Sequence, residues 1–143
     1  MGFPGRKEML ASHVVNARRT DTLDRLADIA DGTSNTFLLH EEVGRPERWR
    51  VGRPLSGRLS GAGWADRDNE YITHGFSVDG VSAPGPCAIN CTNDNEDYSF
   101  HAGGTNVLFC DGSVRFIRQS IDIRIWCRLL TKRGGEVVVG GDF

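Results

Sequence analysis

The chain has 143 residues, a net charge of −2, 38% apolar and 25% charged residues, which fits a single domain over 1–143 with a real core. The balanced charge, with no basic run interleaved with aromatics, excludes a general nucleic-acid binder. Residues 1–19 hold neither the roughly 18 apolar residues of a membrane helix nor the 7–15-residue core of a signal peptide, so no membrane span is expected.

Residues 1–20 are polar and mixed, a peripheral segment with a short helix predicted over 7–18. Leu23, Leu26, Ala27, Ile29 and Ala30 recur at helical spacing and predict one to two helical turns, stopped by Asp31-Gly32. Thr36 to Val43 reads as the first strand, with Phe37-Leu38-Leu39 as its buried part. Glu41 and Glu42 follow side by side, so a pleated backbone points them to opposite faces.

Residues 44–60 read as an irregular excursion with strand near Trp49 to Gly52. Its five arginines (45, 48, 50, 53, 58) are diluted by Glu47 and prolines, giving a solvated segment in preference to an anion-binding patch. Short strands are expected over 61–64 and 71–76, then a long Gly/Pro-punctuated loop from Val78 to Asn90. Val107 to Cys110 and Ser113 to Ile117 are β-rich runs around Asp111-Gly112, the strongest short-range hairpin signal, because primed turns need positive φ. Ser120 or Asp122 caps a helix running to about Lys132, with Ile121, Ile125 and Leu129 as its stripe, Trp126 and Leu130 widening it and Gly134 as its C′ residue. A last short strand is expected over 136–139. The fold class is α+β: a mainly antiparallel sheet with a central Asp-Gly hairpin, a C-terminal helix packed on it, and long Gly-rich loops.

His101, nine residues, then Asp111-Gly112 is the signature of the prepilin-type processing-associated H-X9-DG domain family. Ile89-Asn90-Cys91, Asn93 to Glu96, Tyr98 to His101, Gly134 to Val137, and Asp31 to Thr36 followed by Phe37 to Glu41 also resemble that family, so the likeness runs from about Leu26 onward. The resemblance implies a pseudopilin-like domain of the cell envelope or exterior, whose biochemistry is largely unassigned. Family members usually begin with a pilin-like leader and a long apolar helix. Residues 1–19 show neither, so filament building through that helix is not expected.

Four cysteines permit three pairings. A local Cys87–Cys91 disulfide suits the extracellular setting that the resemblance implies; zinc is the competing reading, weakened by the lack of a second nearby cysteine pair. Cys110 and Cys127 are expected as buried free thiols.

Asp94, Asn95, Glu96 and Asp97 offer closely spaced hard oxygens that suit Ca²⁺, against a plain turn-forming loop. His101 beside Asp97 or Asp111 has the make-up of a general base or a metal ligand, against a structural role in locking the loop. Glu41 or Glu42 facing Glu96, Asp97 or Asp111 would supply the two carboxylates, roughly 5–10 Å apart, of a glycosidase. Trp49, Trp64, Tyr71 and Tyr98 would then offer flat faces to a sugar, although aromatics at such spacings more often anchor cores and loops. Two functions follow as expectations. The first is a soluble envelope- or secretion-associated domain that binds a partner protein or glycan, with Ca²⁺ ordering the acidic loop. The second is a small hydrolase, a glycosidase using carboxylates with or without a metal and His101.

Overall fold

The structure, a computed structural model, describes residues 25–61, 63, 73–135 and 138. Expected features at 1–24, 64–72 and 136–137, including Trp64 and Tyr71, lie outside the described residues. The architecture is α+β. Strands β1 (Phe37–His40), β4 (Gly104–Phe109) and β5 (Val114–Arg118) form an antiparallel sheet in the order β1-β4-β5. Strands β2 (Glu47–Arg50) and β3 (Arg53–Arg58) form a separate antiparallel hairpin, and helix α1 is Ile123–Leu130. Two short 3₁₀ turns, Leu26–Asp28 and Thr33–Asn35, precede β1, and the first falls within the stretch expected to form one to two helical turns.

The core lies between the sheet and α1. Thr105, Val107 and Phe109 alternate inward along β4, Ile117 joins them from β5, and Trp126, Leu129 and Leu130 close over them from α1. Phe37 packs edge-on against Phe109 at 5.1 Å and tilted against Trp126 at 4.8 Å between ring centres. In a regular strand Phe37 and His40, three residues apart, would face opposite sides. A register shift between Phe37 and Leu39 resets the parity, so Phe37 pairs with Phe109 and His40 with Val107 on the same inner face.

Asp111-Gly112 joins β4 to β5, but the connection is longer than a two-residue primed turn. Gly112 N–H donates to Phe109 O, Phe109 N–H donates to Ser113 O, and Gly112 alone takes a positive φ of 85°. This is a three-residue loop, Cys110 to Gly112, with glycine in the left-handed position. The two-residue turn lies elsewhere, at Val51-Gly52 between the paired Arg50 and Arg53, inside the stretch expected to be irregular. Its φ values of 45° and 74° are both positive. For a β-branched valine that conformation is strained. Two bonds hold the tip in place: Val51 N–H to Cys91 O at 3.1 Å, and Gly52 N–H to the Tyr98 hydroxyl at 2.8 Å.

Asp122 caps α1, accepting from Arg124 N–H at 2.7 Å. The helix stops at Leu130, short of Lys132, because Thr131 is already extended. Gly134 therefore does not act as the C′ residue. Its N–H and that of Gly135 donate instead to the Asp31 carboxylate, at 2.7 and 2.9 Å, and tie the chain after the helix to the segment before β1. Cys87 and Cys91 form a disulfide, and Cys110 and Cys127 are free thiols, Cys110 buried and Cys127 half-buried.

Replacing Val51 by Asn, which tolerates the left-handed region, is expected to raise stability by about 1 kcal/mol. A urea midpoint that stays put or falls would show that the valine is not strained.

Candidate functional site

The acidic run 93–97 is tied to several segments of the described structure, and its side chains diverge. Asn93 is fully buried: its Oδ1 accepts from Trp49 N–H at 2.8 Å, and its Nδ2 donates to Glu47 O at 2.8 Å and Val43 O at 3.3 Å. Asp94 pairs with Arg48 at 3.2 Å, and Asn95 Oδ1 accepts from Arg45 Nη2. Glu96 Oε1 accepts from the N–H groups of His74 and Gly75 at 3.0 Å each and contacts His74 Nδ1 in a short bond. Asp97 lies 3.0 Å from His40 Nδ1. The four residues that offered oxygens to calcium thus face four different partners. Among the described residues no three His, Cys, Asp or Glu side chains gather as a metal site.

Arg45 departs from the expected solvated face. Its side chain is 4% exposed, bonds the carbonyls of Asn93 and Ser60, and pairs with Glu42 at 2.7 Å. Burial pushes Glu42 up to about 7 despite Arg45, and Glu96 up to about 8 despite its two backbone donors. Burial also raises Asp97, opposed by His40. At neutral pH Glu96 therefore keeps its proton, facing a His74 ring that desolvation holds below its ordinary value.

Glu41 and Glu42 meet different partners. Glu41 Oε2 accepts from the Thr105 hydroxyl and Asn106 N–H, both at 3.0 Å, and Oε1 lies 3.4 Å from His101 Nε2. Burial raises the Glu41 pKa, but Asn106, Thr105 and His101 outweigh it and hold the carboxyl below its usual range. His101 is half-exposed and its backbone N–H donates to Ser99 Oγ. Asp111 is not part of this pair. His101 precedes β4 and Asp111 follows it, so at ~3.3 Å per residue the strand holds them on the order of 20 Å apart. Asp111 instead accepts from Ser113 N–H at 2.8 Å and sits 3.6 Å from Arg115; the Ser113 side chain and backbone hold its carboxyl below the usual range.

Of the expected sugar platforms, Tyr98 is 1% exposed with its hydroxyl on Gly52, and Trp49 packs edge-on against Phe100 at 4.9 Å. Phe100, not singled out from the sequence, is the exposed aromatic here, at 61%. It lies on a groove of about 730 Å³ bounded by the Val51-Gly52 tip, the Cys87–Cys91 disulfide, the 98–101 segment and Gln119 to Ile121. Among the described residues the lining contains His101 and no carboxylate. Sequence spacing gave no signal for Arg45, His40 or His74 as partners of the acidic run, since each reaches it across 22 to 57 residues.

The folded protein holds a proton on Glu96 that the unfolded chain releases above 4.5, so rising pH favours unfolding until about 8. His74 acts oppositely, but only below 6.5. The melting temperature is therefore expected to fall between 6.5 and about 8. Glu96→Gln keeps the acceptor and cannot ionise, so its decline should be shallower; equal slopes for both proteins would refute the assignment.

A family model described as a protein of unknown function, DUF1559, matches residues 9–124. No curated protein and no solved structure gives a significant match. Among the described residues no helix is long and apolar enough to cross a membrane. The match takes in β1 to β5, the acidic run, the groove walls and the start of α1, and the chain belongs to the DUF1559 family.

Proposed function

We propose that this chain is a non-catalytic, envelope-associated domain that binds a partner in the groove beside the Cys87–Cys91 disulfide. The observation that carries this reading is the division between the buried acids and the groove. Glu42, Glu96 and Asp97 are buried against protein partners, while the described lining of the groove is mainly apolar, with Asn90, Ser99, His101, Gln119 and Ser120 as its polar members and no carboxylate. A disulfide on the groove wall fits an oxidising compartment, in keeping with the envelope setting of prepilin-associated families. A protein partner fits better than a glycan, since Tyr98 is withdrawn from solvent and Trp49 is turned onto Phe100.

The hydrolase alternative rests on one observation, the contact between His101 and Glu41 at the groove's edge. A histidine oriented by a carboxylate is the arrangement of a general base. Among the described residues no second carboxylate stands opposite it, because Asp111 is a strand's length away and Glu96 is turned to His74. Chromogenic glycosides and esters, offered with and without chelator, are expected to give no turnover with the folded protein. Turnover abolished by His101→Ala or Glu41→Gln at an unchanged melting temperature would overturn the binding reading, and sensitivity to chelator would bring in a metal.

A further inference from the structure

We infer that the groove accepts an extended protein segment bearing both apolar and acidic side chains; this rests on the groove reading above and adds the chemistry of the occupant. The apolar half of the argument is the rim. Val51, Val78 and Phe100 are 52%, 73% and 61% exposed, and all three line the groove. Large apolar side chains gathered at one hollow mark an interaction site more often than scattered ones do.

The sign of the charge comes from the residues just outside that lining. Arg50 and Arg53 are directly opposed across the Val51-Gly52 turn, so their side chains stand on one face of the hairpin. Arg50 lies against Gly80, next to Val78 on the rim, since a Cβ on Gly80 would meet the Arg50 Cγ at 2.8 Å. Arg118 adjoins Gln119 on the far wall. Three carboxylates flank the same lining, Asp79, Asp122 and Glu41, and all three are engaged locally, Glu41 by the Thr105 hydroxyl, Asn106 N–H and His101. Asp79 accepts from the Ser77 hydroxyl and Val81 N–H, which hold its carboxyl below the usual range with a smaller contribution from Arg50, and Asp122 caps α1. Among the described residues no carboxylate is ion-paired to Arg53 or Arg118. Like charges directly opposite one another destabilise a hairpin. An anionic side chain laid along the groove would relieve the Arg50–Arg53 repulsion while its apolar neighbours meet Val51 and Phe100.

The test uses three end-capped, fluorescein-labelled peptides of alternating Leu–Glu, Leu–Lys and Leu–Ser residues. Binding is followed by anisotropy, and amide shifts are followed in the ¹⁵N-labelled protein. The Leu–Glu peptide is expected to bind at least about tenfold tighter than Leu–Lys at low salt, with the gap closing as salt rises. Arg53→Glu should remove that preference, Phe100→Ser should weaken all three peptides, and Arg124→Glu on α1 should change nothing. All three positions are exposed, and melting curves check that each variant is folded. If the peptides bind alike and shift Val51, Phe100 and His101 equally, the groove reading stands and the acidic occupant is wrong. If none of the three shifts those amides, both are wrong.

Discussion

The described structure depends on the buried amide of Asn93. The β2–β3 hairpin lies outside the main sheet, and every residue of β3 is exposed, so the hairpin buries too little apolar surface to hold its own position. Asn93 supplies what burial does not: it satisfies Trp49 N–H, Glu47 O and Val43 O with one side chain that is fully withdrawn from water. A buried amide with its hydrogen bonds made is worth keeping, whereas the same groups left unpaired would each cost about 1–3 kcal/mol. The four residues after it extend the same logic. Arg48 and Arg45 on the hairpin side, His74 and Gly75 on the next segment, and His40 from β1 are all tied to this one run.

Burying so many acids costs desolvation, and the structure offsets it in two ways. Glu42 is given a buried guanidinium and Asp97 an imidazole, which favour the charged forms, whereas Glu96 sits where its neutral form is the stable one near pH 7. All three described histidines, His40, His74 and His101, contact a carboxylate. Two of these pairs involve carboxylates that are almost wholly buried, while the Glu41–His101 pair is open to solvent. The interior pairs belong to the packing of the acidic run, and the surface pair stands at the edge of the groove.

What could be read in advance follows from how far each signal reaches along the chain. β4, β5, the Asp122 cap and the α1 stripe are written in contiguous residues, and they form nearly as patterned. The spacing from His101 to Asp111-Gly112 is also local, and its physical content is the length of one strand: the histidine marks the way into β4 and the glycine the way out. The β2–β3 hairpin escaped because Val51-Gly52 lacks the asparagine or aspartate that advertises a primed turn. Arg45 looked solvated for a different reason. Its partners are Glu42, which is near, and Asn93 and Asn95, which are about fifty residues distant, and no periodicity links them. The acidic run had the composition of a calcium loop, but ligation requires convergence, and convergence is a property of the fold rather than of the run.

The groove inherits its shape from the same ties. Its hairpin wall is fixed by Val51 N–H on Cys91 O and Gly52 N–H on the Tyr98 hydroxyl. Tyr98 is itself held by backbone bonds on both sides, Tyr98 N–H to Glu41 O and Val43 N–H to Tyr98 O. Cys91 is covalently joined to Cys87, and the Asn93 clamp begins two residues further on. Three walls that in sequence are separate loops are therefore tied to one another and to the segment that follows β1. A partner segment entering such a groove has little protein backbone to order, so most of the cost of association falls on the partner. On the proposed reading, this is how a network of buried acids bears on binding: it fixes the surface that a partner would meet.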